Sequence, residues 1–180
     1  MKIFALYSTV ELFTKPSWFD SFRKKYYGSY DLHVTFKQSC FIKQNEIIKV
    51  KQKLEDYFSK TNRKSHEIKM IFNKLIVYDD VIMINSEYDP KITSLQKDLV
   101  NLLDEYTDFI EPELEEYQNN FQPHITIAMD LNNQQLIEAQ NEIVGDIFCE
   151  GVIKDVTLSV VNEITPKETN NPDNKTLYKL

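Results

Sequence analysis

Two short phrases limit what this chain can fold into: YDLHVTF at residues 30–36 and FQPHITI at residues 121–127. Each sets a histidine, one apolar residue and a threonine inside an alternating stretch. The two histidines lie 91 residues apart in a chain that holds only three. Strict alternation is the pattern of a strand with one buried face. His33 and Thr35 then look one way while Leu32, Val34 and Phe36 look toward the core; His124 and Thr126 look away from Ile125 and Ile127 in the same manner. Each phrase therefore predicts a strand that presents an imidazole and a hydroxyl about 7 Å apart on its open face.

The surrounding pattern repeats as well. Residues 2–10 alternate as a first strand. Thr14 and Pro16 predict a helix start for KPSWFDSFRKKYY, which Gly28 ends, with Trp18 and Phe22 in the core. After the first phrase, NEIIKVKQKLEDYFSK has helical apolar spacing. EIKMIFNKLIVYDDVIMINSE holds two β-rich runs joined by a hairpin turn near Asp79-Asp80. Asp89-Pro90 starts an amphipathic helix, and EPELEEYQNN is an acidic, part-helical connector. Beyond the second phrase, Asn132 or Asn133 caps a helix that Gly145 ends, VIKDVTLSVVNEI is a strand, TPKETNNPDN a turn-rich loop, and KTLYKL a last strand. The order is β-α-β-α-β-β and then α-β-α-β-β, a weak internal duplication carried by element order alone. It predicts an α+β fold over residues 1–180: one domain of two interleaved lobes whose mostly antiparallel sheets face each other.

Composition narrows the chemistry. Three glycines leave almost nothing for a backbone phosphate cradle, and no nucleotide-binding glycine run is present. No apolar run is long enough to span a membrane, and MKIFALYSTVELF reads as a strand in preference to a signal peptide. The net charge of −7 argues against gripping a long duplex, while leaving room for a small anionic substrate in a locally positive pocket. Cys40 and Cys149 have no metal-ligand neighbours at the usual spacings and read as reduced, buried thiols of a cytoplasmic protein. The sequence calls for no metal and no cofactor, and for a monomer.

Two facing His-x-Thr strands suit phosphodiester chemistry. One neutral imidazole takes a proton from the attacking oxygen and a protonated one gives a proton to the leaving oxygen; a pKa of about 6.5 makes both forms accessible near neutrality. Thr35 and Thr126 hold the phosphoryl oxygens. Asp31 and Gln122, each two residues before a histidine, are placed to orient the rings. Lys37, two beyond Thr35, is placed to meet a phosphate, although a solvated edge charge is the plainer expectation for it. Tyr7, Tyr27 and Tyr30 are candidates to stack a base, set against ordinary packing. His66, in KSHEIK, has none of this context and reads as solvated.

The pair His33-Val34-Thr35 and His124-Ile125-Thr126, the second preceded by Pro123, resembles the signature of the 2H phosphoesterase superfamily, which includes 2′,5′-RNA ligase-like proteins and cyclic phosphodiesterases. The resemblance extends over nearly the whole chain in element order. It implies a bilobal α+β fold with pseudo-twofold symmetry and a central cleft between the lobes. It also implies catalytic roles for His33, Thr35, His124 and Thr126 in metal-independent cleavage at 2′,3′-cyclic phosphates or 2′,5′-linked nucleotides, cyclic oligonucleotides included. The run HVTFKQSCF departs from the common pattern, which ends in glycine, and arginines for an RNA end are few. Two other readings stand beside hydrolysis: a non-catalytic module that binds nucleotides or RNA ends, and 2′,5′ ligation.

Overall fold

The computed structural model describes residues 1–60 and 67–180; the expectation for His66 lies outside the described residues. Among the described residues the chain forms two five-stranded sheets in which every pairing is antiparallel. In chain order the strands are β1 (Lys2–Thr9), β2 (Glu11–Thr14), β3 (His33–Ile42), β4 (Ile68–Tyr78), β5 (Val81–Ser86), β6 (Phe109–Ile110), β7 (His124–Ala128), β8 (Cys149–Ile153), β9 (Asp155–Val161) and β10 (Lys175–Lys179). One sheet runs β10-β9-β1-β3-β6 and carries the first motif; the other runs β2-β8-β4-β5-β7 and carries the second. The helices are α1 (Phe19–Tyr27), α2 (Ile47–Lys60), α3 (Pro90–Leu103), α4 (Pro112–Asn119), α5 (Asn133–Glu142) and the one-turn α6 (Pro166–Thr169).

Helices cover the outer faces and leave the inner faces to a central cleft. α2 buries Val50 and Leu54; α3 buries Ile92, Leu95, Leu99 and Leu103 on the 3.6-residue period. α3 packs on β3 and α2 on β10, in one core that also holds Phe4, Leu6, Val34 and Phe36. On the second lobe Phe19 and Phe22 of α1 and Ala139 of α5 join Ile82, Ile84, Ile125 and Ile127. α3 begins where Asp89 accepts the Lys91 amide at 2.7 Å ahead of Pro90, and α5 begins at an Asn132–Gln135 capping box. The β4–β5 hairpin turns at Asp79, whose φ is 47°.

Three expectations are corrected. The run VIKDVTLSVVNEI is two strands in different sheets. β8 pairs with β4 and β2, β9 with β1 and β10, and the chain changes sheets at Lys154, whose Nζ reaches Glu11 at 2.7 Å and Glu67 at 3.4 Å. Alternation alone does not reveal such a change, because both strands keep the same period. Residues 11–14 are also a strand and not the approach to a helix cap. Thr14 pairs with Glu150, and α1 begins only at Phe19, with no side chain capping it. β2 needs Gly151 opposite: a Cβ there would stand 2.6 Å from the Glu11 carbonyl oxygen. The loop TPKETNNPDN holds the α6 turn, capped by Thr165. The acidic connector is helical as α4, and Cys40 and Cys149 are buried free thiols.

Candidate active site

β3 and β7 bring the two motifs to one cavity of about 350 Å³ between the sheets, lined by His33, Thr35, His124 and Thr126 together. The backbone positions each motif by its register. Thr35 sits opposite Tyr7 of β1, and Thr126 opposite Met83 of β5. Both histidines and both threonines are half-buried, while Val34, Phe36, Ile125 and Ile127 are at most 1% exposed. The alternation that marked the two phrases thus separates a cavity face from a core face.

The two imidazoles are held in the same way. His33 Nδ1–H donates to the Asp31 carbonyl oxygen at 2.7 Å, and His124 Nδ1–H donates to the Gln122 carbonyl oxygen at 2.9 Å. A carbonyl only accepts, so each ring carries its proton on Nδ1 in the neutral form and leaves Nε2 for chemistry. Asp31 and Gln122 orient the rings through their backbones. Their side chains are tied elsewhere: Asp31 pairs with Lys175 Nζ at 3.4 Å, and Gln122 Oε1 accepts from Asn85 Nδ2 at 2.8 Å. The Tyr7 ring lies 5.2 Å from the His33 ring, tilted by 57°.

Burial lowers the pKa of both histidines below the ordinary 6.5. At His33 the His124 ring and the Arg23 guanidinium push the same way, against the Asp31 carbonyl and carboxylate. An anion between the rings would favour their charged forms and oppose this shift.

Tyr7, Tyr30 and Asp31 line the cavity, as does Tyr27, whose hydroxyl burial pushes up to about 12. Lys37 does not. Two irregularities in the β1–β3 register, between Phe4 and Leu6 and between Leu6 and Tyr7, give β3 two more residues than β1 over this stretch. Such a bulge breaks the two-residue period, so Phe36 and Lys37 are both buried, at 1% exposure each. The Lys37 ammonium lies 5.7 Å from the centre of the Phe4 ring, and burial lowers its pKa. Gln38 and Ser39 face the cavity in its place.

The nearby cations are residues that the sequence did not single out. Lys175, at the start of β10, pairs with Asp31 at 3.4 Å with its side chain 16% exposed, and its charge opposes the upward shift that burial gives the Tyr7 hydroxyl. Arg23 donates to the Tyr30 carbonyl oxygen. Lys175 reaches the site only because β10 adds to β9 at the far side of the sheet, and nothing near it in sequence marks that. Tyr117 of α4 also lines the cavity. No spacing to the motifs marks it: the tyrosine at the matching place before His33, Tyr26, bonds Glu142 and packs on Phe22 outside the cavity. Among the described residues no three His, Cys, Asp or Glu side chains gather as a metal shell.

The model of the 2'-5' RNA ligase superfamily matches residues 9–162, which include both motifs and most of both sheets. This chain belongs to that superfamily, the 2H phosphoesterases. Among solved structures, its fold is similar to that of Kluyveromyces marxianus Usb1, at 9% identity over 99% of this chain and 98% of that one, with a TM-score of 0.53. The same protein with uridine monophosphate gives the same figures. TT0787 of Thermus thermophilus is similar at 15% identity over 100% of this chain and 95% of that one, also with a TM-score of 0.53. No curated protein sequence matches. The superfamily holds phosphodiesterases and ligases, and this member keeps both halves of the 2H signature in one cleft.

Proposed function

We propose that this 2H protein is a metal-independent phosphodiesterase that cleaves 2′,3′-cyclic phosphates or 2′,5′-linked nucleotides with two histidines as general acid and general base. The observation that carries this reading is the matched pair of rings: each imidazole is fixed at Nδ1 by the carbonyl two residues before it, and both share one cavity with a threonine beside each. One Nε2 takes the proton of the attacking hydroxyl or water as the new O–P bond forms. The other Nε2–H protonates the leaving oxygen as the old P–O bond breaks. Thr35 and Thr126 donate to the non-bridging oxygens, where negative charge grows. Arg23 adds a positive charge near His33, which Asp31, itself paired with Lys175, opposes. The nucleotide found with the yeast relative supports a nucleotide-sized ligand here.

The test is turnover of 2′,3′-cyclic nucleotides and 2′,5′-linked diadenylate in EDTA. We expect His33→Ala and His124→Ala each to lose about 10²–10⁴-fold in kcat/KM. Activity that disappears in EDTA and returns with zinc or manganese would overturn the mechanism. Tight nucleotide binding with no turnover would point instead to a binding module.

A further inference from the structure

His33 opens β3, and the residues that lead into it, 29–32, belong to neither a helix nor a strand. Such a segment has no ladder of its own to fix it, yet its Asp31 carbonyl must meet His33 Nδ1 at 2.7 Å. Separate parts of the chain hold it, one residue each. Asn170 Nδ2 donates to the Ser29 carbonyl oxygen at 2.8 Å. Arg23 of α1 donates to the Tyr30 carbonyl oxygen. Lys175 pairs with the Asp31 carboxylate at 3.4 Å. The Val10 amide donates to the Leu32 carbonyl oxygen at 2.8 Å. Two of these partners, Asn170 and Lys175, come from one bracket, residues 162–175, which joins β9 to β10. The bracket is tied to itself through Glu168. The Glu168 carboxylate accepts the Asn162 amide at 2.6 Å and the Glu163 amide at 3.4 Å, and the Glu168 carbonyl oxygen accepts Asn174 Nδ2 at 3.0 Å. His124 is supported differently, from the neighbouring strand β5: Asn85 Nδ2 donates to Gln122 Oε1 at 2.8 Å, and the Ser86 amide donates to the Pro123 carbonyl oxygen at 2.8 Å.

We infer that Asn170 and Lys175 are positioning residues for His33: from the bracket they fix Ser29 and Asp31, and so aim the Asp31 carbonyl at Nδ1. This deepens the phosphodiesterase reading and rests on it. The Nδ1 bond sets both which nitrogen carries the proton and where Nε2 points. A partner that holds the acceptor of that bond therefore acts on the reaction without touching the substrate, as outer partners do for metal-binding histidines. Neither residue is near the motif in sequence: Asn170 stands 141 residues from Ser29, and Lys175 stands 144 residues from Asp31. The two histidines thus have independent supports, the bracket for His33 and β5 for His124, and each can be loosened alone.

The experiment reads the imidazole nitrogens by nitrogen-15 NMR at about pH 8, where both rings are neutral, together with kcat and KM on a 2′,3′-cyclic nucleotide. The proteins are wild type, Asn170→Ala, Asn170→Asp, Lys175→Met, Lys175→Arg and Asn85→Ala, with thermal unfolding to confirm that each is folded. Asn170→Asp keeps the size of the side chain and removes the donor, so it stands in should Asn170→Ala fail to fold. In Asn170→Ala, Asn170→Asp and Lys175→Met, His33 should become a mixture of Nδ1–H and Nε2–H forms while His124 stays Nδ1–H. Their kcat should fall by about 10- to 100-fold with KM little changed. Lys175→Arg, which keeps the charge, should restore the Nδ1–H form and kcat. Asn85→Ala should give the opposite pattern, with His124 loosened and His33 fixed. A His33 that stays Nδ1–H in folded Asn170→Ala or Lys175→Met overturns the inference, as does equal loosening of both rings. The expected NMR pattern without turnover in any protein supports the positioning roles and removes the hydrolase reading; turnover with His33 fixed in every variant does the reverse.

Discussion

A histidine that donates Nδ1–H to a backbone carbonyl is fixed in tautomer and in direction at once, and here two are fixed the same way. Their lowered pKa values have two consequences that can be measured. The kcat/KM profile, which reports the free protein, should be a bell whose limbs belong to the pair and whose centre lies on the acid side of 6.5; the kcat profile should move toward neutrality as the bound phosphate favours imidazolium. The second consequence is for stability. The unfolded chain binds protons more readily than the folded one wherever the pH lies between the lowered values and 6.5. Stability is therefore full above 6.5 and falls as the pH drops through that window. Urea midpoints at pH 7 and pH 5 should differ less for the His33→Gln/His124→Gln double variant than for wild type. Thr35→Val and Thr126→Val each remove one donor to a charged oxygen and should each slow kcat by about 10- to 100-fold, given the strength of hydrogen bonds to charged groups.

Among the strands and helices, β3 shows why residue spacing alone misplaced a cation. His33 and Thr35 obey the two-residue period, and the bulge that follows turns Lys37 inward beside Phe4. A bulge depends on pairing with β1, and KQSC contains no glycine that would announce one. Since burial of the Lys37 charge outweighs its attraction to Asp104, Lys37→Met should leave turnover near wild type and raise stability by about 1 kcal/mol, read by urea unfolding. The start of α5 was legible because its capping box is local: Asn132 and Gln135 are three residues apart and satisfy each other's backbone partners. Asn132→Ala should lower stability by about 1 kcal/mol. The start of α1 was not legible in the same way, because Thr14 is claimed by a strand partner 136 residues away, Glu150.

Across the full chain, the decisive feature is that neither lobe is a continuous piece of sequence. The first sheet joins β1 from the N-terminal end to β9 and β10 from the C-terminal end, and the second joins β2 to β8. Among the described strands the chain changes sheets six times, directly after β1 and at Lys154 among them. Residues 1–106 by themselves would lose β8, β9 and β10, and with them partners of β1, β2 and β4. We therefore expect a single cooperative urea transition for the full chain, with far-UV circular dichroism and Trp18 fluorescence coincident. Trp18 packs on Phe22 at 5.4 Å and donates from Nε1 to the Val144 carbonyl oxygen at 3.0 Å, so its signal reports contact between distant parts of the chain. Separated transitions for the two probes would count against the one-domain reading.

The order of residues alone was enough for the two motif strands, their reactive and core faces, most of the helices, the β4–β5 hairpin and the family, because these rest on periodicity, capping and short-range spacing. Folding in three dimensions set which strands share a sheet, where the chain crosses between sheets, that Lys37 is buried while Lys175 approaches the site, and that α1 packs on β7 and α4 on β3. Those outcomes depend on hydrogen-bond partners and packing surfaces that lie many residues away. No local pattern of side chains encodes them.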